Sequence, residues 1–148
     1  AVARLAPITT SSEAARNSSG LLVRAACANE LPEAFEKLAF ASGLEAWMQA
    51  VFACNAYIDE QAPWALRKTD PARMERVLAT LCGCIRDLTI VVSPVTPGAA
   101  GRILDALCIP ATDRDFAALE REIVDGEIRV DDPKPVFPRL ELPEKATA

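Results

Sequence analysis

The strongest constraint on the fold is an apolar stripe at helical spacing in the middle of the chain. The stripe contains Met74, Val77, Leu78, Leu81, Ile85, Leu88 and Val92. Residues that recur every three or four positions share one side of an α-helix. Asp70-Pro71 provides an N-cap and a proline suited to the first helical position, and Pro94 stops the helix. The pattern therefore predicts a long amphipathic helix.

A second stripe precedes the first and contains Leu44, Trp47, Met48, Val51 and Ile58. Because Trp47 and Met48 lie within it, we expect both side chains to belong to the core. Ser42 and Glu45 have the spacing of a capping box, which predicts that the helix starts there. Pro63 disfavours helix at the residue before it, so this helix should end near Ala62.

Shorter helical patterns flank the two long stripes. They run from about Ser12 to Asn29, from Pro32 through Ala39, from Thr96-Pro97 to Pro110, and across residues 113–122 with Phe116 and Leu119 inward. Pro32 either kinks one long helix or opens a new one. Short links between four to six helices predict an all-α fold, an antiparallel helix bundle with an extended Pro-rich C-terminal tail.

The predicted organisation has three parts. Residues 1–11 form a loose N-terminal segment, and residues 12–122 form the helical domain. Residues 123–148 form the extended tail, because a glycine and three prolines oppose regular structure there: Gly126, Pro133, Pro135 and Pro138.

Composition excludes several classes of function. The 148 residues include no His, so neither a Ser-His-Asp nor a Cys-His arrangement can form. The sequence also has no phosphate-binding glycine loop, no pair of metal-ligand motifs and no run of 18 apolar residues. We therefore expect no active site, cofactor, metal site or membrane span in this chain. By itself, the net charge of −5 disfavours a nucleic-acid-binding surface, so any RNA contact must be local, and we expect no DNA partner. The number of cysteines, five, is odd, and four of them fall inside apolar helical patterns, which indicates reduced thiols in the cytoplasm.

A segment that begins within the end of the second stripe carries a family resemblance. Residues 55–68 read NAYIDEQAPWALRK. This string closely resembles the N-x-Y-x-x-x-x-x-P-W-x-L-x-K signature of the anticodon-binding domain of bacterial methionyl-tRNA synthetases. Ser93-Pro94-Val95-Thr96-Pro97 and the closing Val136-Phe137-Pro138-Arg139-Leu140-Glu141 are similar to later features of that family. The resemblance covers about Leu21 to Glu141.

The resemblance implies a function in tRNA recognition. The family joins methionine to its tRNA with ATP and Mg²⁺, and this domain would check the CAU anticodon of tRNA-Met. The family's H-I-G-H and K-M-S-K-S catalytic motifs are absent from this chain. The resemblance therefore implies that the catalytic domain of the same synthetase is a partner and that chemistry takes place there.

Five residues become candidates for RNA binding. Trp64 would stack on an unpaired anticodon base, and Pro63 would present the indole at a helix end. Asn55 would either contact a base edge or satisfy a neighbouring helix end. Arg67 and Lys68 would either meet phosphates near the anticodon or form an ordinary solvated surface. Without the motif, Trp64 would be interpreted as a partly buried core residue.

Two departures from the family pattern keep an alternative open. The family has an Asn and an Arg one helical turn apart in a helix upstream of this region, and residues 1–20 contain no such pair. Thr96 occupies a position that is commonly Met in the family. The alternative hypothesis is a free-standing, non-catalytic helical module derived from this domain that binds a protein through an apolar groove.

Overall fold

The computed structural model describes residues 3–5, 18–120, 128–132 and 134–137. The fold is all-α, as predicted. Its helices are α1 (Ser18–Ala25), α2 (Leu31–Glu36), α3 (Phe40–Gln61), α4 (Pro63–Thr69), α5 (Pro71–Val92) and α6 (Pro97–Ala106). Two 3₁₀ turns, Ala111–Asp113 and Phe116–Glu120, follow α6. None of the helices in the described ranges is long and apolar enough to cross a membrane.

A short strand pair accompanies the helices. Strand β1 (Ala3–Leu5) pairs antiparallel with β2 (Ile128–Val130), with Ala3 opposite Val130. Ala3–Leu5 lies within the segment that the sequence predicted to be loose, and three residues are too few to show a strand's alternation. Most of residues 1–11, the predicted helix start at Ser12 and the tail after Phe137 lie outside the described residues. The division at residues 11 and 122 therefore stays a prediction.

Helix α5 confirms the strongest sequence pattern. It begins at Pro71, and an Asp70 carboxylate oxygen accepts a hydrogen bond from the Arg73 backbone N–H at 3.0 Å. This bond satisfies one of the free donors at the helix N-terminus. Val77, Leu81 and Leu88 are buried on its inner side. Helix α5 is therefore the element against which α1, α3, α4 and α6 pack.

The capping-box prediction for α3 is wrong. The helix begins at Phe40, and the Ser42 hydroxyl donates to the Ala39 carbonyl at 2.9 Å from within the first turn. Gly43 gives the physical reason, because a Cβ on it would lie 2.8 Å from the Cβ of Ala34 in α2. Residue 43 thus lies where α2 and α3 are close together, and a helical conformation there turns the missing side chain towards α2.

Pro32 lies within a nearly continuous helical run instead of opening an independent helix. Between α1 and α2 the backbone forms a π-helical turn, Ala26–Glu30. Proline lacks a backbone N–H, and its ring crowds the carbonyl four residues earlier. The wider turn just before Pro32 accommodates that ring while Leu31 stays buried.

The main core lies between α1, α2, α3 and α5. Its buried members are Val23, Ala26, Cys27, Leu31, Ala50, Cys54, Cys84, Leu88 and Val91. Trp47 packs against this cluster, as predicted, and its indole N–H donates to the Leu88 carbonyl at 2.9 Å. The prediction that Met48 belongs to the core is wrong, because its side chain is exposed. Adjacent helical positions point about 100° apart, so burial of Trp47 turns Met48 outward.

Loss of the Trp47 hydrogen bond should have a modest cost. We expect Trp47→Phe to lower the free energy of unfolding by about 1 kcal/mol, because the ring stays in the core while the Leu88 carbonyl loses a donor. Urea denaturation followed by circular dichroism would measure the change. The matched control is Trp64→Phe at an exposed site, with an expected change within about 0.5 kcal/mol. A loss above about 3 kcal/mol in Trp47→Phe would contradict this estimate.

Three free thiols meet in the main core. Cys27, Cys54 and Cys84 are buried, and the thiols of Cys54 and Cys84 share a hydrogen bond. Burial, reinforced by the Asp87 carboxylate, raises the pKa of Cys27 to about 12. The hydrogen bond to Cys54 and burial raise the pKa of Cys84 as well. These two thiols therefore stay protonated at neutral pH and pack as small apolar groups.

Arg86 is a structural ion-pair residue. Its guanidinium is nearly buried and lies 2.6 Å from an Asp87 carboxylate oxygen. Burial raises the pKa of Asp87, and the adjacent Arg86 opposes that shift. Two neighbouring side chains on α5 thus neutralise each other at the edge of the core.

The end of the helical region differs from the sequence prediction. The 3₁₀ turns Ala111–Asp113 and Phe116–Glu120 take the place of the predicted helix, and residues 121–127 lie outside the described part of the chain. An Asp115 carboxylate oxygen accepts from the Ala118 backbone N–H at 2.9 Å, which favours a tight turn. Leu119 packs inward as predicted, whereas Phe116 is 54% exposed and the prediction for it is wrong.

Candidate nucleic-acid interface

The corner between α3 and α4 consists of Gln61, Ala62, Pro63 and Trp64. Ala62 has φ 42° and ψ 59°, the left-handed conformation that commonly ends helices, and its N–H donates to the Ile58 carbonyl at 2.9 Å. Pro63 is buried and occupies the first turn of α4. One residue therefore changes the chain direction between two helices, with no loop between them.

Trp64 is presented to solvent by a short, anchored helix. Its side chain is 64% exposed at the second position of α4. Leu66, two residues later, packs against the buried cluster of Tyr57, Val77 and Leu81. Because positions two apart on a helix point in nearly opposite directions, anchoring of Leu66 directs the indole outward. The interpretation of Trp64 as a partly buried core residue is therefore wrong.

Asn55 lies on the solvent side of α3. Its side chain is exposed and makes no hydrogen bond to any residue in the described ranges. The alternative in which Asn55 satisfies a neighbouring helix end thus has no support among those residues. Asn55 lies six positions before Gln61, a distance of about 9 Å along the helix axis. The amide is free to donate to and accept from an external group.

Arg67 and Lys68 lie in the last turn of α4. Both side chains are exposed, and within the described ranges neither forms an ion pair. Cations are favourable at a helix C-terminus because they interact with the free carbonyls and the helix dipole. These two charges are therefore compatible with the end of α4 and are available to an external anion.

The sequence did not indicate a hydrogen bond that closes the corner. The Arg73 guanidinium in the first turn of α5 donates to the Gln61 side-chain carbonyl at 2.9 Å. This bond joins the end of α3 to the start of α5 across the whole of α4. A separation of 12 residues matches no helical or strand period, so no sequence pattern could have revealed it.

Charge is unevenly distributed across this corner. Helix α3 contains no Lys or Arg, and its charged residues are Glu45, Asp59 and Glu60. The segment from Pro63 to Arg76 contains more cations than carboxylates. The four cations are Arg67, Lys68, Arg73 and Arg76, and the two carboxylates are Asp70 and Glu75. A chain of net charge −5 thus has a locally basic segment, here called the basic edge, that runs from Pro63 to Arg76 and contains the exposed indole. This arrangement fits a local contact with a polyanion.

Comparison with known proteins identifies the family. Residues 23–141 match the model of the family described as the anticodon binding domain of methionyl tRNA ligase. The chain is 41% identical over 103 residues to a methionine–tRNA ligase of Rhizobium meliloti, which is 68% of this chain and 20% of that protein. A methionine–tRNA ligase of Brucella suis is 40% identical over 107 residues, 72% of this chain and 21% of that protein. The chain thus spans about a fifth of the length of these relatives.

Solved structures give the same result. The apo form of Mycobacterium tuberculosis methionyl-tRNA synthetase matches with a TM-score of 0.78 and 29% identity, over 95% of this chain and 28% of that chain. The same enzyme bound by methionyl-adenylate matches with a TM-score of 0.76 and 28% identity, over 91% of this chain and 27% of that chain. The family match covers most of the sequence, and the fold agrees with it. The chain belongs to the family of methionyl-tRNA ligase anticodon-binding domains.

Proposed function

We propose that this chain recognises the CAU anticodon loop of tRNA-Met as part of a methionine–tRNA ligase. The observation that carries the proposal is Trp64, a large aromatic side chain held 64% exposed by a buried proline and an anchored helix. Unpaired RNA bases are recognised by stacking on aromatic faces. Asn55 supplies an amide for a base edge, and Arg67 and Lys68 supply cations for phosphates.

The chemistry of the proposed enzyme belongs to another part of it. A relative of this chain binds methionyl-adenylate, the activated form of methionine. We infer that the catalytic domain of the same ligase uses ATP, Mg²⁺ and methionine in the cytoplasm. The role of the present residues is to select the tRNA. They contribute binding specificity, with no bond made or broken at the corner.

Trp64 fluorescence gives a direct test. In a Trp47→Phe variant Trp64 is the single indole, because the chain has two tryptophans. We expect an RNA stem-loop with a CAU anticodon to quench its emission, and a stem-loop with the same loop bases in shuffled order to quench it less. Few phosphates are in reach, so a plot of log affinity against log salt should have a shallow slope.

The outcomes separate three situations. Quenching by CAU alone supports base recognition at Trp64. Equal quenching by both loops contradicts the specificity and leaves only a contact with the RNA backbone. If neither loop changes the emission at low salt, the proposed function is wrong for this chain. A Trp47→Phe, Trp64→Phe variant, which lacks indoles, gives the background signal.

A further inference from the structure

One exposed face of α3 contains Asn55 and three further side chains that have no assigned role. It consists of Met48, Phe52, Asn55 and Asp59, which recur at steps of three or four residues and are all exposed. Residues at this spacing form a single row along a helix. The candidate RNA residue Asn55 is therefore flanked by an aromatic side chain one turn before it and by a carboxylate one turn after it.

Phe52 is the unusual member of this row. Its ring is 54% exposed, and it belongs to none of the core clusters formed by the described residues. Because α3 already packs its inner face against the core, an aromatic side chain on its outer face adds little to the stability of the fold. Met48 extends the same apolar surface by one turn. Exposed apolar residues in a row indicate a binding surface more strongly than one alone.

Charge indicates which part of an RNA this face would meet. Helix α3 carries three carboxylates and no cation, so phosphates are repelled from it. The neighbouring edge of α4 and the start of α5 carry the cations. An RNA loop that places its phosphates on the basic edge would turn unpaired bases towards α3. Bases are uncharged and have flat faces that stack on an aromatic ring.

We propose that Phe52 is a second base-stacking platform for the anticodon loop, next to Asn55 and apart from Trp64. Along the axis of α3, Phe52 lies about 4.5 Å from Asn55 and about 13 Å from the corner at Gln61. One helix thus holds an amide and an aromatic ring one turn apart in a single row, and each can contact a different unpaired base. This inference rests on the proposed function, because it assigns a further residue to the same RNA.

Stem-loop binding by a matched set of variants tests the inference. Phe52→Leu keeps an apolar side chain and removes the ring, so we expect the CAU stem-loop to bind about 5-fold or more weakly. Phe52→Tyr keeps the ring and should bind within about 2-fold of the unmodified chain. Phe116→Leu is the matched control, because Phe116 is also 54% exposed but lies on a 3₁₀ turn after α6. It should leave binding unchanged.

Removal of single bases identifies the stacked position. A series of stem-loops would each carry one abasic site in the loop, which retains the phosphate. At the position that stacks on Phe52, Phe52→Leu should cause no further weakening, because the same interaction is already lost. At the other positions the effects of the abasic site and of Phe52→Leu should add in free energy. Additivity at every position would overturn the inference.

The proposed function and this inference fail in different ways. If CAU quenches Trp64 while Phe52→Leu binds like the unmodified chain, Phe52 is not a platform and the proposed function stands. An apolar protein partner on this face would give that result. Equal weakening by Phe52→Leu and Phe116→Leu would also overturn the inference. If Trp64 does not respond, the proposed function fails as well, and the variants identify no RNA contact.

Discussion

Trp64→Ala should weaken binding of the CAU stem-loop by about 5- to 150-fold, the range that corresponds to loss of one base–aromatic stack. The indole is mostly exposed, and its helix is anchored through Leu66 and Pro63, so the substitution removes a binding surface without removing core contacts. Direct titration calorimetry, which does not depend on tryptophan emission, would measure the affinity.

Two controls distinguish loss of a binding surface from loss of stability. Trp64→Phe keeps an aromatic face of smaller area, so it should bind between the unmodified chain and Trp64→Ala. The free energy of unfolding of Trp64→Ala should change by no more than about 0.5 kcal/mol, as at other exposed positions. Unchanged affinity in Trp64→Ala would remove the main support for RNA recognition at the corner. Loss of both affinity and stability would instead assign Trp64 a structural role.

Leu31→Ala should have the largest effect on stability, a loss of about 2–5 kcal/mol in the free energy of unfolding. The Leu31 side chain is 1% exposed, and its Cδ1 would lie 3.2 Å from a Cβ on Gly43, so it fills the crossing of α2 and α3. Its removal leaves a cavity between two helices whose backbones are already close and cannot approach further. Urea denaturation would give the free energy.

Leu22→Ala is the matched control, because it makes the same chemical change in α1 at a side chain that is 48% exposed. Alanine is a good helix former, so the change there should stay within about 0.5 kcal/mol. Similar losses in the two variants would contradict the assignment of Leu31 to the core. A loss below about 1 kcal/mol in Leu31→Ala would show that α2 collapses into the space.

The fold was predictable where the residues at a helix start and the spacing of the apolar residues indicate the same helix. For α5, the apolar stripe and the Asp70-Pro71 start both indicate the same helix, and the structure has it. For α3, Ser42 resembles a capping residue, but the close approach of Gly43 to Ala34 sets the start, and that contact depends on a helix elsewhere in the chain. Tertiary packing overrode the local signal.

The candidate site was predictable only through its motif. Periodicity alone does not distinguish an exposed Trp64 from a buried one, since that depends on how Leu66 docks on α5. The bond between Arg73 and Gln61 was not predictable either, because it joins two helix ends at a separation without a period. Phe52 carries no motif, and its exposure becomes evident only when the packing of α3 is known.

The left-handed conformation of Ala62 fixes how α4 is rotated about its own axis relative to α3. Because no loop separates the two helices, the corner cannot absorb a change in length. One inserted residue would move every later position of α4 by about 100° around the helix axis. Leu66 and Trp64 would turn together, so Leu66 would leave its place against Tyr57, Val77 and Leu81. Insertions and deletions should therefore be far more harmful at this corner than substitutions.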